Sequence, residues 1–156
     1  MSSDAERSRG GTTARSPNLS AALRIPYQEI SALIVEGLAA AGYSDLRLSH
    51  GTVFQHLPPE GGRLTEVAAR AQLTKQTVAS FVDEMVEMGY LERVPDPTDA
   101  RARLLRYTRK GRTVRREAAR VIRDIEVRWA ERLGKQKMAE LRKLLDELIA
   151  AIGSEL

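Results

Sequence analysis

The chain of 156 residues contains no cysteine, which excludes disulfide bonds, thiol redox switches and cysteine-ligated zinc or iron-sulfur centres. Aromatic residues make up only 4% of it, so aliphatic side chains must fill the core. No apolar run approaches the roughly 18 residues of a membrane span, and the N-terminus lacks a hydrophobic signal region. We therefore expect a soluble cytoplasmic protein without membrane contact, and the length favours a single compact protomer.

Several signatures of catalysis are also missing. The chain has no Gly-rich phosphate loop and no nucleophile-elbow motif. Its two histidines, His50 and His56, are six residues apart, do not share a helical face and have no obvious carboxylate partner in the sequence. Zinc needs four ligands. We therefore expect no catalytic residues, no metal site and no cofactor, and the sequence argues against an enzyme.

Positive charge is concentrated in one part of the chain. The formal net charge of the whole sequence is +4, but residues 92–116 hold nine basic and three acidic side chains, so this segment carries +6 and the remainder −2. A basic surface of this kind is typical of proteins that bind nucleic acid. The alternative interpretation is a solvated, charged helix face.

Residues 64–111 have the pattern of a helix-turn-helix followed by a β-hairpin. Two short amphipathic segments surround a three-residue turn. Thr65 is expected to cap the first segment, which ends near Ala71, and Thr74 to cap the second, which stops at Gly89. A winged helix-turn-helix of this form places its second helix in the DNA major groove.

The second helix of this pair has a polar N-terminal end opposite an apolar stripe. The stripe residues are Val78, Phe81, Val82, Met85 and Met88. The polar residues that lie off this stripe are Lys75, Gln76, Thr77 and Ser80. Gln76 can bond adenine through two hydrogen bonds, Lys75 can bond guanine or phosphate, and the two hydroxyls can reach bases or phosphates. The acidic Asp83 and Glu84 would repel phosphate, which confines base contacts to the first two turns. The alternative is an ordinary polar surface face.

The predicted wing consists of strands 90–94 and 103–107, joined by a turn in which proline fixes φ and aspartate bonds local backbone donors. Asp99 lies two residues before Arg101, and we expect its carboxylate to orient that guanidinium. Arginine at a hairpin tip can enter a narrow minor groove, where the negative potential is enhanced, and Arg103 is better placed for phosphate. The alternative is a surface ion pair that contributes less than ~1 kcal/mol.

The regions outside this lobe predict long amphipathic helices. Residues 1–17 are rich in Ser, Gly, Arg and Thr and are expected to form a disordered tail. The remaining residues, 18–156, are expected to form one protomer, with dimerisation helices at 18–45 and 112–156 and the winged lobe at 46–111.

Helix-capping residues predict where the early helices begin. Asn18 or Ser20 is expected to begin the first helix, and Pro26 either kinks this helix or marks the start of its firm part. Ser44 or Asp45 is expected to begin the second helix.

The first, long and last helices all present apolar faces, of which the winged lobe can cover little. A long helix is expected between Thr108, its cap, and Gly134, which breaks it, and an amphipathic helix follows. An uncovered apolar stripe of this size usually meets a partner. We expect a homodimer with interleaved terminal helices, and the alternative is an intramolecular three-helix core.

Residues 64–111 resemble the MarR family (multiple antibiotic resistance regulators). The pattern LTxxA…LTKQTV…FVDEM…GYLERVPDPTDARARLLRYTRKG carries the resemblance over roughly a third of the chain. Its most specific part is the pair Asp99-x-Arg101 followed by Thr108-x-x-Gly111. Gln72 stands where many members have glycine, so the local backbone is expected to differ, and Ser80 stands where many have Arg or Lys.

The resemblance implies a fold and a function. The fold is mainly α with a small β-hairpin wing: a winged helix-turn-helix with flanking dimerisation helices. The implied function is that of a homodimeric regulator that binds a pseudo-palindromic operator in double-stranded DNA. Such regulators often repress a neighbouring gene and release DNA on binding a small aromatic effector.

The resemblance also implies an effector site where the dimerisation helices meet the winged lobe. The residues that fit this place are Tyr27, Ile30, His50, Phe54 and Trp129. His50 is the strongest candidate because an imidazole beside aromatic rings can bond a phenol or carboxylate, or change charge near neutral pH. Each of these residues fits equally well as ordinary core.

Two further function classes remain open at this level. An effector-independent architectural or non-specific DNA-binding protein would bind many sequences with similar affinity. A winged-helix protein-interaction module would bind its partner at high salt and ignore DNA.

Overall fold

The computed structural model describes residues 18–153, so the predicted tail at 1–17 lies outside the described residues. The elements in chain order are α1 (Leu19–Ala40), α2 (Leu48–His56), β1 (Gly62–Arg63), α3 (Leu64–Ala71), α4 (Lys75–Glu87), β2 (Leu91–Asp96), β3 (Asp99–Tyr107), α5 (Arg109–Leu133) and α6 (Lys135–Gly153). This is the mainly helical fold with a small hairpin wing that the sequence predicts. None of these helices combines the length and apolar character that crossing a bilayer requires.

Three of the predicted caps are confirmed. Asn18 accepts a hydrogen bond from the backbone N–H of Ala21 at the start of α1, and Thr74 does the same for α4. Thr108 caps α5 by accepting from the backbone N–H of Gly111 at 3.1 Å. In each case the side-chain oxygen satisfies a helix donor that has no partner within the helix.

Two predicted caps are wrong. Helix α2 begins at Leu48 with Arg47 as its cap, because the carboxylate of Asp45 accepts a hydrogen bond from the Tyr90 hydroxyl at 2.5 Å instead. Thr65 lies inside α3, and that helix is capped at Arg63. Helix α1 runs continuously through Pro26 rather than beginning there.

The wing is a longer hairpin than the predicted strands. Strands β2 and β3 pair antiparallel from Leu91 opposite Tyr107 to Asp96 opposite Asp99, with a register shift at Pro95/Asp96. Only Pro97 and Thr98 form the turn. The sheet order is β1-β3-β2, so the wing is held on its other side by the short strand β1.

The core lies between the helix-turn-helix, the base of the wing and the start of α5. Its buried residues include the predicted α4 stripe members Val78, Val82 and Met85, while Phe81 and Met88 pack against it partly buried. The Tyr107 hydroxyl donates to the carbonyl of Leu57 at 3.0 Å. Few aromatic side chains are present, and aliphatic packing dominates this core.

Helices α1, α5 and α6 extend beyond this core. Helix α6 contains no buried residue, and the Arg142 side chain joins it to Glu126 of α5 at 2.8 Å. The large apolar side chains that remain exposed in α1 and α6 are Leu19, Leu23, Ile25, Tyr27, Leu141, Leu144, Leu148, Ile149 and Ile152. We call this set the terminal apolar face.

Candidate nucleic-acid interface

The N-terminal end of α4 is an exposed polar surface. Lys75, Gln76 and Ser80 are exposed and Thr77 is half-buried, while Val78 is fully buried. Thr77 is held by a 2.7 Å hydrogen bond between its hydroxyl and that of Thr74. Three of the four side chains predicted from the sequence are thus exposed at this end of α4, and the fourth is half-buried.

The turn before α4 depends on an unusual backbone conformation. Gln72 has φ 53° and ψ 37°, the left-handed region that glycine adopts most readily. Its backbone N–H donates to the carbonyl of Ala69 at 3.1 Å, and the N–H of Leu73 donates to Ala68. Glutamine therefore closes α3 in the conformation that a glycine at this position would favour.

Two of the three carboxylates of α4, those of Asp83 and Glu84, are bound within the protein. Asp83 accepts from Arg93 of β2 at 2.6 Å, and Glu84 accepts from His50 of α2 at 3.0 Å and pairs with Arg47. These partners lie far away in sequence, so no local pattern reveals them. Pairing offsets the negative charge that would otherwise face phosphate, and it fixes α4 against the wing and α2.

The wing is anchored to the helix-turn-helix through Asp96. Arg63 donates to the Asp96 carboxylate from Nε at 2.9 Å and from Nη2 at 2.6 Å. The backbone N–H and the hydroxyl of Thr98 donate to the other oxygen at 2.8 and 2.7 Å. Asp96 is only 6% exposed. Arg63 was not among the predicted site residues, because its partner lies 33 residues further along the chain.

The bonds to Asp96 predict an acid-dependent contribution to stability. Hydrogen bonds from Thr98 and pairing with Arg63 lower the pKa of Asp96 from 3.8 to about 2. Since the folded pKa lies below the unfolded value, this contribution is complete above about pH 4 and is lost as pH falls through about 2. Asp96→Asn is therefore expected to lower the free energy of unfolding at pH 7.

The pH dependence of this variant tests whether the ionised Asp96 carboxylate is the source of this stabilisation. The difference between Asp96→Asn and the wild type should shrink as pH falls from 4 towards 2, as measured by urea unfolding at a series of pH values. A difference that stays constant over this range would contradict the assignment.

Arg101 and Arg103 lie on the outer part of β3. Side chains alternate along a strand, so Arg103 shares the strand face of the buried Leu105 and Tyr107, whereas Arg101 lies in the segment where the pairing register shifts. Both are exposed, and neither forms an ion pair with any residue in the described range 18–153. Asp99 accepts from the backbone N–H of Arg101 at 3.0 Å, so its carboxylate shapes the turn, and no contact of it with the guanidinium is observed.

Several other basic residues of the 92–116 segment are engaged inside the protomer. Lys110 lies 4.0 Å from the centroid of the Tyr90 ring and donates to the carbonyl of Met88. Arg112 donates to the carbonyl of Tyr107 at 2.6 Å, and Arg115 lies 4.8 Å from the Tyr107 ring centroid. Part of the local positive charge is therefore structural, whereas the exposed wing residues Arg101 and Arg103 form no ion pair with the described residues.

A cavity of about 240 Å³ opens between α1, α2 and α5. Its lining includes three of the predicted effector residues, Tyr27, His50 and Phe54, but neither Ile30 nor Trp129. Phe54 stacks on Tyr107 with ring centroids 5.9 Å apart. The remaining lining residues are mostly apolar. A cavity of this form suits a small ligand with an apolar body.

His50 is fully buried in the wall of this cavity, and both of its ring nitrogens have partners. The backbone N–H of Arg47 donates to Nδ1 at 3.1 Å. Since Nδ1 accepts, the proton of the neutral ring lies on Nε2, which donates to Glu84. The imidazole thus joins the cavity wall to α4.

The sequence of the winged lobe matches a model of the MarR family over residues 63–102. This region contains the end of β1, all of α3, α4 and β2, and the first part of β3. No curated protein shows significant sequence similarity to the chain.

Solved structures share the fold over most of the chain. The transcriptional regulator Tm0710 from Thermotoga maritima is 26% identical, with 87% of this chain and 94% of that chain covered and a TM-score of 0.62. Apo MarR from E. coli is 18% identical, with 86% and 98% covered and a TM-score of 0.71. CouR from Rhodococcus jostii RHA1, solved bound to p-coumaroyl-CoA, is 24% identical, with 88% and 95% covered and a TM-score of 0.67. The winged lobe is therefore similar in sequence to the MarR family over residues 63–102, and the described chain shares the winged helix-turn-helix fold of these solved structures.

Proposed function

We propose that this protein is a sequence-specific regulator of transcription that represses by binding double-stranded DNA and is released by a small-molecule effector. The observation that carries the proposal is the joint exposure of the polar tip of α4 and of the wing arginines. Neither group of side chains forms an ion pair with the described residues of its own protomer, so both are free to meet an anionic partner.

Each part of this surface has a role in the proposal. Gln76 and Lys75 read base edges in the major groove, with Thr77 and Ser80 at bases or phosphates. Arg101 enters the flanking minor groove and Arg103 neutralises phosphate. The Arg63–Asp96 pair sets the position of the wing relative to α3 and therefore relative to α4.

A homodimer is part of the proposal. The residues of the terminal apolar face belong to α1 and α6, and the protomer itself leaves them exposed. A second copy of the chain covers such a face with a matching one, because a twofold interface is self-complementary. The two α4 helices would then meet two half-sites of a pseudo-palindromic operator.

The cavity between α1, α2 and α5 is the proposed effector site. The p-coumaroyl-CoA bound to CouR has an aromatic acyl group, and the aromatic and aliphatic lining of this cavity suits a small aromatic molecule. Tyr27, His50 and Phe54 are the lining residues proposed to contact it. Ile30 and Trp129 do not line the cavity, and we propose no ligand contact for them.

Selection of bound sequences from random DNA duplexes tests the function. The wild-type protein should enrich a sequence with two inverted half-sites whose centres lie about 34 Å apart, one helical turn of DNA. Its affinity should fall steeply with salt, because neutralised phosphates release counterions. Equal binding of all duplexes would indicate an architectural protein, and absence of duplex binding at low salt would indicate a protein-interaction module.

The selected duplex then measures the contribution of the wing. Arg101→Ala is expected to weaken binding by about 1–3 kcal/mol, because it removes one charged contact while the turn retains its backbone hydrogen bonds. Fluorescence anisotropy at constant salt provides the affinities. Arg128→Ala, which removes an exposed arginine near the end of α5, is the matched control and should bind like the wild type. Equal affinities for all three proteins would exclude the wing from the interface.

A further inference from the structure

The charged residues that line the cavity between α1, α2 and α5 are both basic. Arg47 and Arg115 line it, and its described lining contains no aspartate or glutamate. Arg115 forms no ion pair within the described range and contacts the Tyr107 ring. Arg47 differs, because its guanidinium already pairs with the Glu84 carboxylate. An anion that enters the cavity can therefore pair with Arg115 directly, whereas it can pair with Arg47 only if Arg47 leaves Glu84.

Glu84 joins this cavity to the helix that carries the base-reading side chains. It lies on α4, one turn beyond Ser80, and its Oε2 atom is shared by the two α2-region residues of the cavity wall. His50 contributes a buried ring, 1% exposed at its side chain, whereas the side chain of Arg47 is 68% exposed. The bond to His50 is thus a fixed contact, and the pairing with Arg47 is the one that can exchange.

The electrostatics of Glu84 agree with this geometry. The hydrogen bond from His50 and the charge of Arg47 lower the pKa of Glu84. The carboxylate therefore remains ionised at neutral pH and competes with any other anion for Arg47.

We propose that Glu84 couples the cavity to the DNA-binding helix by competing with a cavity ligand for Arg47. A carboxylate ligand that pairs with Arg47 takes this side chain away from Glu84, so of the two polar contacts of Glu84 with Arg47 and His50 only the one with His50 remains. The inference rests on the proposed function, because the consequence appears in the position of α4 on DNA. It adds an anionic group to the proposed aromatic ligand and names the residue through which the ligand acts.

The size of this coupling has a physical limit. A ligand shifts an equilibrium only by the difference in its affinity for the two states, and here that difference is the strength of the Arg47–Glu84 pairing. Exposed ion pairs of this kind contribute little, and their loss corresponds to about a twofold to fivefold change in an equilibrium constant. Each protomer of a dimer would contribute this factor once.

Calorimetric titration with cinnamate, in the absence of DNA, tests the competition directly. Glu84→Gln retains an oxygen that accepts from His50 but removes the charge that holds Arg47. We expect it to bind cinnamate about twofold to fivefold more tightly than the wild type, because the strength of the Arg47–Glu84 ion pair limits the gain. Glu87→Gln, which removes an exposed carboxylate from the same helix, is the control and should bind like the wild type. Uncharged cinnamamide should bind the wild type and Glu84→Gln equally.

A double-mutant cycle isolates the role of Arg47. Arg47→Ala keeps the backbone N–H that donates to His50, and it should weaken cinnamate binding. In the Arg47→Ala background, Glu84→Gln should no longer change cinnamate affinity, because there is no guanidinium to compete for. An equal gain in both backgrounds, equal affinities of wild type and Glu84→Gln, or no binding of cinnamate to the wild type at millimolar concentration would overturn the proposal.

Binding to the selected DNA duplex provides the second readout. Cinnamate should weaken DNA binding by the wild type and by Glu87→Gln more than by Glu84→Gln, since in the latter the pairing is already absent. Failure of the wild type to prefer any duplex would refute the proposed function, while the calorimetric comparison without DNA would still decide the competition at Arg47.

Discussion

Replacing Gly111 by alanine is expected to destabilise the protein by about 3 kcal/mol, at the upper end for steric insertion into a packed core. Gly111 is buried in the first turn of α5, and a Cβ atom there would lie far inside van der Waals distance of the Tyr90 carbonyl oxygen. This oxygen cannot move away freely, because it accepts from the backbone N–H and the hydroxyl of Thr108 at 3.1 and 3.2 Å. The substitution therefore forces α5 away from the base of the wing.

Urea unfolding at equal protomer concentration measures this effect, since the stability of an oligomer depends on concentration. Gly51→Ala is the matched control: Gly51 lies inside α2, and a Cβ atom there would meet nothing within 4 Å. It should leave stability unchanged or raise it by about 0.5–1 kcal/mol, because alanine is the better helix former. If Gly111→Ala unfolds at the same urea concentration as the wild type, the close approach of α5 to Tyr90 is not required for folding.

The double substitution Leu144→Asp and Leu148→Asp is expected to convert the proposed dimer to monomers and to weaken operator binding by about 100-fold or more. The two leucines are one turn apart on α6 and are 55% and 39% exposed in the protomer. Carboxylates at these positions would be buried without partners in a self-complementary interface. Once the protomers separate, the second half-site no longer benefits from the high effective concentration that linkage supplies.

Light scattering coupled to size-exclusion chromatography determines the oligomeric state, and anisotropy with the selected duplex determines the affinity. Lys143→Ala is the control, because it removes only an exposed contact with Glu147, at 3.7 Å on the same helix. It should remain dimeric with unchanged affinity. A double aspartate variant that remains a dimer would place the interface away from the terminal apolar face.

The local capping signals were predictable where the oxygen and the helix donor are close in sequence. Asn18, Thr74 and Thr108 each bond a backbone N–H three residues ahead, and a pattern of side chains reveals such a contact directly. Asp45 has the same chemistry but bonds Tyr90, 45 residues away. The prediction for α2 failed because a distant partner removed the oxygen from local capping.

The wing shows the same division between local and distant information. Its existence follows from the Pro/Asp turn flanked by β-prone segments. Its length was underestimated because strand pairing continues to Asp96 opposite Asp99. The Asp96 carboxylate holds this end through Thr98 nearby and through Arg63 of β1, which lies on the other side of β3. Only the first of these contacts is local in sequence.

Among the candidate site residues, the sequence predicted which side chains of α4 are exposed, but it did not reveal which residues of other elements they or their neighbours contact. The helical period places Gln76 and Ser80 opposite Val78, and an amphipathic helix can bury only one of these faces. Which residues line the cavity was predicted in part, since Tyr27, His50 and Phe54 do and Ile30 and Trp129 do not. Spacing within a helix cannot specify which other helix faces it.

The sequence by itself determined the order of the helices and strands, the polar end of α4, the arginines of the wing and the resemblance of the winged lobe to the MarR family, because all of these depend on residues close together in the chain. The tertiary structure alone decided that Glu84 meets His50 and Arg47 and that Arg63 holds Asp96, because folding brings together side chains more than 30 residues apart. Charged groups take whichever partner the packed backbone places within hydrogen-bonding distance, and a linear pattern does not contain that distance.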